Sequence, residues 1–172
     1  MSEAPACEAP TSGRLDGAWH VLPVRVYFED TDAGGIVYHA NYLRFAERAR
    51  TEMMRALGVP HVDMVRDGVA FAVRRCEIDF RKPARLEDAL EVRTRITDIG
   101  GATLDAEQIV RRPGPDRNSP PDGADLSGEE LVRLSLRLAC INQNGRPVRL
   151  PMPVRAALAR LPGAPGPAAT AT

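Results

Sequence analysis

Three acidic residues and two glycines stand close together between Val24 and Gly58, in the run VRVYFEDTDAGGIVYHANYLRFAERARTEMMRALG. Glu29, Asp30 and Asp32 follow a stretch of alternating apolar and polar residues, and the glycine pair comes two residues later. Glycine allows positive φ and a close approach of other groups to the backbone. A carboxylate beside such a turn can attack a carbonyl or remove a proton from water, which are the two ways a carboxylate promotes acyl transfer.

The residues that follow are spaced as an amphipathic helix. From about Asn41 the apolar residues recur every three or four positions, and Gly58 followed by Pro60 ends the pattern. The first N–H groups of a helix have no intrahelical acceptor and lie at the positive end of its dipole. They can hold a carbonyl oxygen as it gains negative charge, so this order of acids, glycines and helix predicts a candidate acyl-transfer site.

The same residues also have structural interpretations. Acidic residues before a helix are common as caps, and Asp-x-Asp before glycine is also found in calcium loops. The calcium interpretation fails because no acid follows at the required distance. From the residues alone, capping with turn glycines stays an alternative to catalysis.

The run EDTDAGGIVYHANYLRFAERART resembles the signature of the 4-hydroxybenzoyl-CoA thioesterase family of hotdog-fold proteins. More narrowly, it resembles the bacterial acyl-CoA thioesterases associated with the Tol–Pal envelope system, as do Val73–Asp79 and Pro83–Asp88. The likeness covers residues 21–112 well and 131–161 loosely. The Pro- and Gly-rich stretch 113–129 departs from the family pattern.

The resemblance implies roles for individual residues. Asp32 matches the catalytic carboxylate of the family, which acts as nucleophile or general base. His39 stands where the family places the backbone N–H that receives the thioester carbonyl oxygen, and in the Tol–Pal branch the side chains of Tyr38 and His39 recur near the acyl pocket. The candidate substrate-binding residues are Gly35, Val37, Tyr38, Tyr42 and Arg85.

Other polar residues of the region receive secondary interpretations. Glu47 is a second candidate catalytic acid, because other hotdog branches place theirs on this helix. Glu29 and Asp30 are expected to support the turn, and Asn41 to cap or orient the helix start. Two isolated histidines are interpreted as surface residues: His20 and His61.

Five basic residues cluster in one predicted strand and its exit: Arg74, Arg75, Arg81, Lys82 and Arg85. Such side chains bind phosphate, so they are candidates for contact with the phosphates of CoA. A solvated charged face is the plainer interpretation. Lys82 is the only lysine in the sequence.

The periodicities predict an α+β protein. One long helix among antiparallel strands is consistent with the hotdog fold that the resemblance implies, a curved sheet of five strands or so wrapped around one central helix. Long edge strands invite pairing with a second copy, so a homodimer with a continuous sheet is predicted. The family resemblance implies dimers or dimers of dimers, so the expected assembly is a homodimer or homotetramer. Beside the long helix, the predicted elements are strands over 20–28, 69–80, 90–99, 103–112 and 131–142, and short helices over 62–67 and 153–161.

The predicted organisation is a single domain. It comprises a flexible arm over 1–20, a hotdog domain over 21–161 with an insertion loop at 113–129, and a disordered tail over 162–172. In the 172 residues, 23 Lys and Arg balance 23 Asp and Glu, which argues against a nucleic-acid partner. The absence of a long apolar run argues against a membrane span and, with an N-terminus unlike a secretory signal, predicts a cytoplasmic protein.

The functional hypothesis is hydrolysis of acyl-CoA thioesters without a metal or a cofactor, since the three cysteines form no metal-ligand pattern. Acyl carrier protein is a further candidate partner. The alternative from another class is a non-catalytic acyl-CoA-binding or scaffold protein of lipid or envelope metabolism, in which Asp32 would be a cap. A hydratase acting on enoyl-CoA is disfavoured because His39 follows the thioesterase pattern.

Overall fold

The computed structural model describes residues 11–114 and 128–163. Within these residues, six strands form one antiparallel sheet in the order β1-β2-β4-β5-β6-β3, and three α-helices and a short 3-10 helix over Phe28–Asp30 accompany it. No helix in these residues is long and apolar enough to cross a membrane. The strands are β1 (Arg14–Asp16), β2 (Trp19–Arg25), β3 (Val69–Phe80), β4 (Ala89–Ile99), β5 (Thr103–Arg112) and β6 (Glu129–Asn142), and the helices are α1 (His39–Ala56), α2 (His61–Arg66) and α3 (Met152–Ala159).

The two faces of the sheet differ in chemistry, as strand alternation requires. Val92, Val110 and Val132 pair across β4, β5 and β6, and all three are fully buried on the helix side. The opposite face carries cross-strand ion pairs, in which Glu107 bonds both Arg95 and Arg133. The predicted antiparallel sheet is confirmed, with six strands in place of five.

Helix α1 is the long helix that the periodicity predicts, and its apolar face is buried against the sheet. Phe45, Ala46 and Ala49 are fully buried there, and Met53 is 2% exposed. The two alanines carry little side-chain volume at the contact, so the helix can approach the strands closely. The spacing of these residues every three or four positions is what turns them to one side.

A buried polar network ties α1 to the middle of the sheet. Nη1 of Arg50 donates to Oε1 of Gln108 at 2.6 Å. Nε2 of Gln108 donates to the carbonyl of Ala46 at 2.9 Å and to Oγ1 of Thr94 at 2.8 Å. Buried polar groups are costly unless they are hydrogen-bonded, so this network fixes where the helix lies on the sheet.

The first turn of α1 is held to the segment between β3 and β4. The hydroxyl of Tyr42 accepts a hydrogen bond from the Ala84 N–H at 2.8 Å, and the Val37 N–H donates to the Ala84 carbonyl at 2.9 Å. Nδ2 of Asn41 donates to the Asp30 carbonyl at 2.9 Å. The prediction that Asn41 orients the helix start is therefore confirmed.

The predicted N-terminal arm is wrong where the chain enters the sheet. Strand β1 and the start of β2 form a hairpin over residues 14–20, which were assigned to the arm. A three-residue strand is too short for its periodicity to be read. His20 is fully buried, contrary to the surface interpretation, and its Nε2 lies 2.6 Å from the Ser12 carbonyl.

The other predicted boundaries are tested only in part. Glu129 belongs to β6 and not to the insertion loop. Residues 1–10, 115–127 and 164–172 lie outside the described residues, so most of the arm, the insertion and the tail stay predictions. The short helices α2 and α3 are confirmed within one or two residues of their predicted ends.

The burial of His20 predicts a loss of stability in mild acid. Because a carbonyl only accepts, neutral His20 carries its proton on Nε2, and desolvation lowers the pKa of His20 below 6.5, against weaker opposing effects of Ser12 and Glu52. In the unfolded chain His20 binds a proton near pH 6.5, whereas in the folded chain it does so only at lower pH. The free energy of unfolding should therefore be level above about pH 7 and fall as the pH drops below about 6.5.

Urea unfolding of His20→Gln checks this expectation. Glutamine can still donate to the Ser12 carbonyl but does not titrate. The free energy of unfolding should therefore change less with pH, between about pH 7 and pH 5, than it does in the wild type. Burial also lowers the pKa of His61, so a residual slope that His61→Gln removes is expected. Identical slopes in His20→Gln and the wild type would contradict the assignment.

The hydroxyl of Tyr42 is predicted to stabilise the fold. Tyr42→Phe keeps the ring and leaves the buried Ala84 N–H without its acceptor, so the free energy of unfolding should fall by about 1–3 kcal/mol. Tyr38→Phe is the matched control, since Tyr38 is 47% exposed and its change should stay within about 0.5 kcal/mol. Urea unfolding measures both, and equal stabilities for the two variants would refute the anchoring role.

Candidate active site

Asp32 lies at the corner of a tight turn before α1. The Asp32 N–H donates to the Ile36 carbonyl at 2.9 Å, and the Gly35 N–H donates to the Asp32 carbonyl at 3.0 Å. Gly35 has φ +74°, a conformation that L side chains rarely adopt, so a glycine is needed there. The turn holds the Asp32 side chain exposed to solvent.

The neighbouring acid Asp30 has a structural role. It is 5% exposed, and its Oδ2 accepts a hydrogen bond from the Tyr27 N–H at 2.9 Å. The Asp30 carbonyl accepts from the Tyr38 N–H at 2.9 Å as well as from Asn41. The prediction that Asp30 supports the turn is confirmed, whereas Glu29 is exposed beside it.

Helix α1 starts without a side-chain cap. Tyr38 occupies the N-cap position and makes no capping hydrogen bond, and His39 is the first helical residue. Oδ1 of Asp32 accepts from the Gly34 N–H at 2.8 Å and does not cap the helix, so the capping interpretation of Asp32 is wrong. The N–H of His39 has no acceptor within the helix and lies at the positive end of its dipole.

Asp32 and His39 line the same cleft, which has a volume of about 340 Å³ and opens to solvent. Of the predicted substrate-binding residues, Val37 and Tyr42 line it too. The remaining lining residues come from the turn and from the end of β3: Ile36, Phe80, Arg81, Lys82 and Pro83.

The other three predicted substrate-binding residues are not among the described residues that line this cleft. Gly35 shapes the turn. The Tyr38 ring packs on the His39 ring with centroids 4.3 Å apart. The main chain of Arg85 bridges Ile36, and its N–H donates to a carboxylate oxygen of Asp88 at 2.8 Å. Their contact with substrate stays a prediction.

Phe80 forms the aromatic wall of the cleft and was missed from the sequence. Its ring lies edge-on to those of His39 and Tyr42, with centroids 6.5 and 5.9 Å away. It is 49% exposed, a large fraction for a phenylalanine. The available signal was the phenylalanine at the end of the β3 pattern, directly before the basic pair that also lines the cleft.

A second cavity of about 110 Å³, called the inner cavity below, lies beside the later turns of α1. Glu47 lines it and is ion-paired with the buried Arg50, so the second candidate acid lies in a different cavity from Asp32. His61 lines it as well and is half-buried, not on the surface. Its walls are mostly apolar and include Met53, Met54, Met64, Ala70, Phe71 and Leu138.

The two described cysteines are free thiols away from the cleft. Burial raises the pKa of both Cys76 and Cys140, which disfavours the reactive thiolate. No cluster of three or more His, Cys, Asp or Glu suited to a metal ion is present within residues 11–114 and 128–163. The groups that the cleft offers for chemistry are a carboxylate, a helix N-terminus, an imidazole and two cations.

Known proteins are similar to this chain in sequence and in fold. The acyl-CoA thioesterase YbgC of Haemophilus influenzae is 38% identical over 142 residues, which cover 81% of this chain and 94% of that protein. The acyl-CoA thioester hydrolase YbgC of Escherichia coli O6:H1 is 52% identical over 82 residues, 48% of this chain, and the match spans 61% of that protein's length. The crystal structure of the probable thioesterase from Bartonella henselae matches with a TM-score of 0.66 and 35% identity, covering 78% of this chain and 100% of that one.

The fold and the family follow from these likenesses. The curved antiparallel sheet around α1 is the hotdog fold, as the sequence resemblance implied. The model of the thioesterase-like superfamily matches residues 26–158, which include the Asp32 turn, α1 and all but the first strands of the sheet. The chain therefore belongs to the thioesterase-like superfamily.

Proposed function

We propose that the protein hydrolyses acyl-CoA thioesters to a carboxylic acid and CoA. The observation that carries the proposal is the shared cleft of Asp32 and His39, a carboxylate and an uncapped helix N-terminus. The names of the YbgC relatives support an acyl-CoA substrate. The family supplies the reaction class, and the cleft supplies groups able to perform it.

In the proposed mechanism the thioester carbonyl oxygen accepts a hydrogen bond from the His39 N–H. That N–H and the helix dipole stabilise the negative charge that develops on the oxygen. Asp32 either attacks the carbonyl carbon, forming an anhydride that water then hydrolyses, or removes a proton from the water that attacks. In both routes the C–S bond breaks, CoA leaves as the thiolate, and water supplies the new oxygen of the acid.

The surroundings of the two groups suit this chemistry. Val37, Tyr42 and Phe80 present apolar surface on one side of the cleft, which strengthens electrostatic interactions near the carbonyl. The scaffold alternative rested on Asp32 as a helix cap, and Asp32 bonds Gly34 instead. The catalytic interpretation is the one that uses an exposed, uncommitted carboxylate oxygen.

We further propose a homodimer, the unit of either predicted assembly, formed through β3. In the described part of the chain this 12-residue strand pairs with β6 alone and leaves its other edge open. Val73 and Phe80 are each 49% exposed along it. A long open edge with exposed apolar side chains is a template for pairing with another copy.

Antiparallel pairing about the middle of β3 would join the cleft of one protomer to the inner cavity of its partner. Phe80 lines the cleft, and Phe71 lines the inner cavity nine residues earlier, so the two lie about 30 Å apart along one strand. A two-fold axis places the Phe80 end of one strand beside the Phe71 end of the other. The acyl chain of a thioester at Asp32 would then enter the partner's inner cavity.

We also propose a cellular setting for the protein. The likeness to YbgC proteins supports placing the chain in the Tol–Pal-associated branch, acting in the cytoplasm. Acyl carrier protein stays a candidate donor of the thioester. A panel of acyl-CoA and acyl-carrier substrates would decide between the carriers.

Asp32→Asn is expected to lower the rate of thiol release from acyl-CoA by roughly 100-fold or more. Asparagine keeps the oxygen that accepts from Gly34, so the turn and the stability should be retained. Glu29→Gln, which neutralises an exposed acid of the same segment, is the matched control and should keep near wild-type turnover. Thiol detection with a chromogenic reagent measures all three proteins, and full activity in Asp32→Asn would end the catalytic assignment.

A mixed dimer tests whether the site is shared between protomers. Ala70→Phe should fill the inner cavity and abolish turnover, and so should Asp32→Asn. A hybrid that carries one change in each protomer, isolated with two affinity tags, has one site with both halves intact and should regain about half of the wild-type rate. A hybrid as inactive as its parents would show that both halves come from one protomer.

Two variants on α2 distinguish a blocked inner cavity from misfolding as the cause of lost turnover. Val65→Trp changes a residue 61% exposed at the lining of the inner cavity, and it should impair turnover as Ala70→Phe does. Val62→Trp changes a residue 70% exposed that does not line the cavity, so it should leave turnover unchanged. An equal loss of turnover in both variants would mean that a large side chain on α2 is harmful wherever it lies, and not because it fills the inner cavity.

A further inference from the structure

Two of the five clustered cations line the active-site cleft. Arg81 and Lys82 form part of the wall that Asp32 and His39 share. Their side chains are 45% and 60% exposed, so they lie where the cleft meets solvent. The two cations differ in how far protein carboxylates neutralise their charge.

Arg81 is largely committed to protein carboxylates. Its Nε donates to Oδ2 of Asp79 at 2.9 Å, and its Nη1 lies 2.9 Å from Oε1 of Glu130. Two negative groups thus face one guanidinium, whose donors are fixed in a planar fork. An incoming anion would therefore meet a guanidinium whose positive charge two carboxylates already neutralise.

Lys82 is in the opposite situation. Its Nζ donates to Oε1 of Glu129 at 2.6 Å, but Glu129 also bonds Arg112. The hydrogen bond and charge of Lys82 hold the pKa of Glu129 below its usual range, so Glu129 is a carboxylate at neutral pH. One carboxylate therefore serves two cations, and an ammonium group has three donors, of which the described partner uses one.

We propose, on the basis of the proposed function, that Lys82 binds a phosphate group at the nucleotide end of the thioester's carrier. A pantetheine arm separates the reacting sulfur from the diphosphate of CoA, so the phosphates must lie outside the catalytic centre, toward the solvent side of the cleft. Lys82 is the cation at that rim whose charge is only partly balanced, because its carboxylate partner Glu129 is shared with Arg112. It thereby sets the preference for a CoA thioester over one without a nucleotide.

The chemistry of lysine suits such an exchange. An exposed ion pair contributes little to stability, so Lys82 can leave Glu129 for a phosphate at small cost. Its flexible stem lets the ammonium reach either partner, whereas an arginine at this position would be held by carboxylates as Arg81 is. Glu129 then acts as the competitor that the phosphate replaces.

The experiment compares one acyl group on two carriers, CoA and pantetheine, which lacks the nucleotide and its phosphates. Lys82→Met should lower kcat/KM for the CoA ester by roughly five- to tenfold through KM, with kcat at saturation unchanged, because one charge-assisted contact is lost. The pantetheine ester should be hydrolysed by wild type and variant alike. Lys82→Arg should restore part of the loss.

Two further variants separate binding from a structural role. Glu129→Gln removes the competitor and should lower KM for the CoA ester, opposite in sign to Lys82→Met. If the pair served only to brace the cleft, both variants would impair both esters. Arg146→Met removes an exposed cation from the turn after β6, away from the cleft, and should change neither ester.

The two esters distinguish failure of the Lys82 role from failure of the thioesterase assignment. A wild type that hydrolyses neither ester contradicts the thioesterase assignment itself. A wild type that hydrolyses both, with Lys82→Met affecting neither or affecting both equally, overturns the role of Lys82 and leaves the thioesterase assignment standing.

Discussion

The attachment of the first turn of α1 to the segment after β3 is the constraint on which the site depends. The hydroxyl of Tyr42 accepts from the Ala84 N–H, the Val37 N–H donates to the Ala84 carbonyl, and Asn41 holds the Asp30 carbonyl. These three bonds place the N-terminus of α1 beside the Asp32 turn, which is held by its own backbone hydrogen bonds. In the proposed mechanism, a shift of about 1 Å between the two would move the Asp32 carboxylate away from the carbonyl that the His39 N–H binds.

The sheet makes that attachment rigid by enclosing the helix. Ala46 and Ala49 let α1 lie close to the strands, and the Arg50–Gln108 bond fixes its position along them. The same helix serves two cavities, the cleft at its first residue and the inner cavity two or more turns later. Asp32 and the mostly apolar inner cavity are therefore apart within one protomer, and the proposed dimer would bring the inner cavity of the partner to the cleft.

Local patterns were sufficient for part of this arrangement. The acids and glycines before an amphipathic stretch predicted the turn and the helix, because both depend on neighbours in sequence. The sequence could not show that the Asp32 carboxylate bonds the Gly34 N–H and not an N–H at the start of α1, since an aspartate before a helix can make either bond.

Contacts between distant residues were beyond the sequence. His20 is buried by a short hairpin whose strand is three residues long, and Phe80 reaches the cleft only because the end of β3 passes the start of α1. Gln108 is a polar residue at a buried position of β5, between Ala106 and Val110, and the sequence does not show that helix α1 supplies Arg50 as its partner. In each case the missing information was which element packs against which.

The most direct test of the account is a crystal structure with a CoA analogue in which a methylene group replaces the thioester sulfur, leaving an unreactive ketone. We expect the ketone oxygen to lie within about 3 Å of the His39 backbone nitrogen. A carboxylate oxygen of Asp32 should face the carbonyl carbon directly or through one water. A ketone bound away from both groups, in a protein that turns over the parent thioester, would contradict it.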